Sequence, residues 1–65
     1  MNIYSAIKEG TRKLNSKLIA SAHIDSEILM AKVLDRDREY ILLNPNNVID
    51  QNNLFTFRKL IKERA

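Results

Sequence analysis

Ile24-Asp25-Ser26-Glu27-Ile28-Leu29-Met30-Ala31-Lys32-Val33-Leu34 runs directly into Asp35-Arg36-Asp37-Arg38-Glu39-Tyr40-Ile41-Leu42-Leu43. At 100° per residue, Ile24, Ile28 and Ala31 form one face of a helix, Leu29 and Val33 a second, and Met30 and Leu34 a third. A helix that is apolar on nearly every side belongs at the centre of a bundle, with neighbours on several flanks. Only Asp25 and Lys32 share a clear polar strip, and Glu27 is directed between Leu34 and Ala31. A carboxylate so placed needs donors, because burying it unpaired is costly. Arg36, Arg38 and the free N–H groups at the start of the next helix are the candidates for that tie.

Upstream, residues 3 to 15 place Ile3, Ala6, Ile7, Gly10 and Leu14 on one helical face, with Lys8, Glu9, Arg12 and Lys13 mostly elsewhere. Gly10 costs a helix about 1 kcal/mol relative to alanine, but its position on the apolar side lets another backbone come close. Leu18 and Ile19 either extend this helix or begin a short link. Ser21 is positioned to cap the second helix, whose last residue is expected near Leu34.

Downstream, Asp37 is an N-cap for a short helix over residues 38 to 43, and Pro45 ends it by pushing the preceding residue out of the helical region. Asn44-Pro45-Asn46-Asn47 is a turn by composition. Asp50 caps a last helix, with Ile49 before it placed to staple onto Leu54. Leu54, Phe57 and Ile61, with Leu60 beside them, supply the buried stripe. Phe55 points about 100° away from Leu54, as a satellite contact or an exposed partner site. The fold expected is an all-α bundle of four helices, one of them short, in a single domain over residues 1 to 65.

A chain of 65 residues hides only about 60% of the surface it exposes when unfolded, so the core is small. With 45% hydrophobic residues, one glycine and no cysteine, the chain is globular and depends on packing, with neither disulfides nor a cysteine-based zinc site. Its longest apolar runs, such as Ile41-Leu42-Leu43, fall far short of the roughly 18 to 20 residues that span a bilayer. The start lacks the charge and apolar core of a signal peptide, and a cytoplasmic location is expected. The net charge of +3 is mild, and the one dense basic patch is Arg58, Lys59, Lys62 and Arg64. Cations there complement the negative end of the last helix dipole.

Catalytic chemistry has little to work with. His23 stands alone, without metal-ligand spacing around it, and reads as a surface or edge residue of the second helix. Asp25 and Glu27 favour the positive end of their helix dipole, and a chain this small has little material for the substrate cleft that paired acids would need. No catalytic, cofactor-binding or metal-binding residue is assigned.

Asp25-x-Glu27-x-Leu29-Met30, then Asp37-Arg38-Glu39-Tyr40-Ile41-Leu42, and finally Leu60-Ile61-Lys62-Glu63-Arg64-Ala65 follow in an order and spacing that resemble one family. It is the small N-terminal helical domain of the HemK/PrmC protein-glutamine methyltransferases. That family has the pattern Asp-x-Glu-x-Leu-Leu, with Met30 here in the second leucine position. The resemblance implies a module that helps grip a class I peptide-chain release factor while the glutamine of its Gly-Gly-Gln motif is methylated. It also implies a partner in the enzyme's own catalytic domain, which binds S-adenosylmethionine and holds the amide with Asn-Pro-Pro-Tyr. Asn44-Pro45-Asn46-Asn47 lacks the second proline and the tyrosine and follows a helix rather than a strand, so it is not that motif.

Arg36, Arg38 and Phe55 are the candidate partner contacts: the two arginines flank an exposed joint, and Phe55 points off the core stripe. The rival readings are a small basic nucleic-acid binder using Arg58, Lys59, Lys62 and Arg64, and a free-standing helical adaptor. A nucleic-acid binder would lose affinity steeply with salt.

Overall fold

Eleven apolar side chains, drawn from four helices and from Ile49, lie together in the interior. The computed structural model describes all 65 residues, Met1–Ala65. Its helices are α1 (Ile3–Ser16), α2 (Ala22–Leu34), α3 (Arg38–Leu43) and α4 (Gln51–Arg64). The fold is all-α, and its only β pairing is an isolated bridge between Asn2 and Val48. No helix is long and apolar enough to cross a membrane.

α1 buries the face its spacing defines: Ile3, Ala6, Ile7, Gly10 and Leu14. Its N-terminal amides, which no intrahelical partner can satisfy, are taken by three acceptors. Asn2 Oδ1 accepts from Ser5 N at 2.8 Å, while the carbonyls of Asn47 and Pro45 accept from Ile3 N and Tyr4 N, each at 2.9 Å. The turn Asn44–Asn47 is therefore the lid of α1, which gives those residues a structural purpose. At the other end, Leu18 adopts a left-handed φ of 61°. Leu18 N then donates to Asn15 O at 2.9 Å and Ile19 N to Leu14 O at 3.2 Å, the paired bonds of a Schellman close. Leu18 thus ends α1 rather than extending it, and Ile19 turns back onto the core.

At Gly10, α1 lies directly against side chains of α4. A Cβ there would lie 2.9 Å from both Ile61 Cδ1 and Phe57 Cζ, nearer than atoms in van der Waals contact sit.

α2 packs against each of the other three helices, but it is not enclosed. Ile24 and Ile28 are 47% and 51% exposed, and Leu29, Val33 and Leu34 are only partly buried. Three neighbours, one of them a helix of six residues, cannot surround a fourth, so one flank of α2 stays open. Its interior positions belong instead to Ala22, Ser26, Glu27, Met30 and Ala31. Ser21 occupies the N-cap position without capping through its side chain. Its hydroxyl donates to Asp25 Oδ2 at 3.0 Å, and its ψ of 27° lies outside the extended backbone that aims a capping oxygen at the helix amides.

Ser26 Oγ is fully buried with no hydrogen-bonding protein atom in reach. Ser26→Ala removes an unsatisfied hydroxyl and improves helix propensity, so it is expected to stabilise the fold by about 1 kcal/mol. A urea midpoint at or below that of the parent would contradict this.

The remaining caps form as their residues imply. Asp37 Oδ1 accepts from Tyr40 N at 2.8 Å, and Asp50 Oδ1 accepts from Asn53 N at 2.7 Å. Ile49 is buried, its amide donating to Met1 O at 3.0 Å, and Leu54 packs at the edge of the same core. Of the stripe expected on α4, Phe57 and Ile61 are buried outright, while Leu54 and Leu60 remain intermediate.

Candidate partner-docking surface

The two acids of the Asp-x-Glu pair stand 200° apart around α2 and reach different helices. Glu27, with its side chain 5% exposed, receives Arg38 of α3 through Nη2 at 2.9 Å and Nε at 2.9 Å. His23 Nε2 lies 3.2 Å from its other oxygen, at the exposed edge expected of that histidine. Asp25 receives Arg64 of α4 through Nη2 at 3.0 Å and Nε at 3.1 Å. The pair therefore fastens α3 and α4 to α2, which is a packing role. Of the donors considered for Glu27, Arg38 is the one that reaches it.

A further tie joins α1 to α4. Arg58 grips Glu9 with both arms of its guanidinium, Nε to Oε2 at 2.8 Å and Nη2 to Oε1 at 3.0 Å. The hydrogen bond from Arg58 holds the Glu9 carboxyl below the usual carboxylate range, against a smaller opposing effect of burial. Glu9 and Arg58 are 49 residues apart, and Asp25 and Arg64 are 39 apart. No periodicity in the sequence links such distant partners. Arg58 and Arg64, grouped by sequence as cations complementing a helix dipole, are cross-links between helices.

The three candidate contacts do not share one site. Arg36 lies over the Tyr40 ring, 4.9 Å from its centroid, beside a shallow recess against Ile3, Leu34 and Val48. Arg38 is half exposed while bound to Glu27. Phe55 is 71% exposed and lines a separate groove of about 770 Å³ between α1 and α4.

Lys13 of α1, Lys17 just past its end, and Lys59 and Lys62 of α4 also line that groove, with the buried Ile61 beneath and no acidic side chain among the lining residues. None of these four lysines has an ion-pair partner. Sequence reasoning grouped Lys59 and Lys62 but missed Lys13 and Lys17. A local signal existed for half of the groove: Lys59 and Lys62 follow Phe55 by four and seven positions, on one face of α4.

A family model described as the PrmC N-terminal domain matches residues 5–65, which includes the Asp25-x-Glu27 pair, the α2–α3 joint and α4. The chain belongs to that family. It is similar to a protein described as a bifunctional methyltransferase from Rickettsia conorii (strain ATCC VR-613 / Malish 7), with 29% identity over 63 residues. The similarity takes in 97% of this chain, which spans 12% of that relative's length. No solved structure matches the chain to significance. The cross-links made by Asp25 and Glu27 give the family's Asp-x-Glu pattern a physical meaning in this chain, as the fastening of two neighbours to one central helix.

Proposed function

We propose that this chain is the substrate-recruiting module of a methyltransferase that modifies the glutamine of the Gly-Gly-Gln motif in class I peptide-chain release factors. The observation that carries the reading is the PrmC N-terminal domain match across residues 5–65. The similarity to a methyltransferase of which this chain spans 12% supports it.

S-adenosylmethionine belongs to the catalytic domain in this reading. The residues here do not fit it: a methyl-donor site needs a strand, a glycine-containing turn and a helix, and Gly10 lies within α1 against Ile61 and Phe57. The division of labour has a physical basis. An amide nitrogen is a poor nucleophile that must be held in one geometry, and contacts remote from the reacting atoms supply binding and orientation. On this reading the protein works in the cytoplasm, with the release factor and its own catalytic domain as partners. Arg36, Arg38 and Phe55 are the contacts proposed, since large interfaces concentrate their energy in a few arginines and aromatics.

The test compares the complete enzyme with a form lacking residues 1 to 65 on two substrates. Loss of the module is expected to lower kcat/KM for a whole release factor about tenfold or more, the equivalent of 1.4 kcal/mol. A short Gly-Gly-Gln peptide, which cannot reach the module, should be methylated almost as before. Equal losses on both substrates with a folded catalytic domain, or no loss on either, would overturn the reading.

A further inference from the structure

The groove between α1 and α4 combines features that core packing does not explain. Phe55 is 71% exposed on a helix whose buried side is already supplied by Phe57 and Ile61. Lys13 and the C-cap residue Lys17 line the groove from the end of α1, and Lys59 and Lys62 from α4. Dipole complementarity would account for Lys13 and Lys62, each in the last turn of its helix. It does not account for cations converging from two helices on one exposed aromatic ring, with no acid among the groove's lining residues.

We propose that this groove docks an acidic, amphipathic segment of a protein partner, with an apolar side chain on the exposed Phe55 ring and carboxylates against Lys13, Lys17, Lys59 and Lys62. Charge complementarity sets the sign of the partner. The exposed Phe55 ring sets its amphipathic character, because lysines lay their aliphatic stems along such a surface while their ammonium groups stay at the rim. A groove between two helices also suits an inserted helix, which presents anchors at i, i+3, i+4 and i+7.

The arginines decide between protein and nucleic acid. A guanidinium fork matches phosphate geometry better than an ammonium does. Yet Arg58, the one arginine lining the groove, is gripped by Glu9 through both arms, and nearby in sequence Arg64 is held by Asp25. What remains is a set of point charges around an exposed aromatic ring, which suits dispersed carboxylates on an amphipathic helix. Resting on the reading proposed above, the segment would belong to the release factor.

The test titrates the isotope-labelled chain with three probes in turn, following backbone amide shifts. The first is a helical peptide of about 14 residues, enough for nearly four turns, with leucine at i, i+3, i+4 and i+7 and glutamate elsewhere. The second is polyglutamate of the same length, and the third is single-stranded oligouridine. The amphipathic peptide is expected to bind tightest, shifting the amides of Lys13, Lys17, Phe55, Lys59 and Lys62. Phe55→Ala should weaken it about 30-fold, the scale of an interface hot spot. Lys59→Glu with Lys62→Glu should remove binding, and Lys32→Glu, on α2 and outside the groove, should leave it unchanged. Circular dichroism establishes that each variant is folded.

Tighter binding of oligouridine, equal binding of polyglutamate, shifts centred elsewhere, or no binding would each overturn the proposal. In the complete enzyme, Lys59→Glu with Lys62→Glu should raise KM for a whole release factor and spare the Gly-Gly-Gln peptide. If deleting residues 1 to 65 impairs that substrate but the lysine reversals do not, the groove assignment fails and the recruitment reading stands. If the deletion has no effect while the acidic peptide still binds, the recruitment reading fails and the groove serves another protein.

Discussion

Phe57→Ala is expected to lower the unfolding free energy by about 3 to 5 kcal/mol, the usual cost of removing a buried phenylalanine. Phe57 is the largest of the fully buried side chains, and its ring tip meets α1 at Gly10. Truncation loses the transfer energy of the ring and leaves a void between two helices that the surrounding chain only partly fills. A domain of 65 residues stands near the lower end of the usual range, about 5 to 15 kcal/mol, so the variant should keep little stability and unfold at a much lower urea concentration than the parent.

The same site gives a check that simple loss of hydrophobicity would not. Gly10→Ala brings a methyl group into the ring tip and into Ile61 Cδ1, an overpacking that outweighs its gain in helix propensity. Combined with Phe57→Leu, which withdraws the ring, Gly10→Ala should cost much less than it does alone, because residues in contact do not behave additively. Urea denaturation of the four proteins in this cycle measures the coupling. An additive result would show that Gly10 is not held open for Phe57.

The helical class, the four elements and most of their ends were legible because they depend on local chemistry. Ile3, Ala6, Ile7, Gly10 and Leu14 lie at helical spacing and are all buried. Asp37 and Asp50 cap the helices that follow them, since a carboxylate acting three residues along needs only the local chain. Even the direction of Glu27 was readable, and it is buried against Arg38.

The misses have a common cause in relations between distant segments. Apolar periodicity gave α2 neighbours on several flanks, and three helices do pack on it, but which flank stays open depends on how many neighbours exist, and Ile24 and Ile28 face outward. Ser21 is a good cap by type, but its hydroxyl is drawn to Asp25, whose carboxylate is itself oriented by Arg64 from the far end of the chain. The left-handed Leu18 could not be read from residue type, because such a backbone conformation ordinarily favours glycine. Of the candidate contacts, Phe55 was found from its angle alone. The groove around it was not, since Lys13 and Lys17 reach Lys59 and Lys62 only through the packing of α1 on α4.

Arg38→Ala is expected to cost about 2 to 4 kcal/mol, more than Glu27→Leu, even though both remove the same ion pair. The asymmetry follows from where the two charges sit. The Glu27 side chain is 5% exposed and that of Arg38 is 50% exposed. Without Arg38, the buried carboxylate keeps only His23 beside it, and an uncompensated buried charge is the costly outcome of breaking such a pair. Without Glu27, the guanidinium turns to water, while leucine fills much of the same volume beside Ile3, Ile7 and Ile41. Arg38→Lys should fall between the parent and Arg38→Ala, since an ammonium keeps the charge but loses the two-nitrogen grip. Thermal and urea unfolding of the three variants gives the order directly. If Glu27→Leu proves the more damaging, the hydrogen-bonded pair itself holds α3 in place, rather than the need to neutralise a buried acid. The result also bears on substrate binding: a weaker interaction of Arg38→Ala with a release factor counts as a lost contact only where the variant remains folded and Glu27→Leu, which leaves the guanidinium exposed, binds normally.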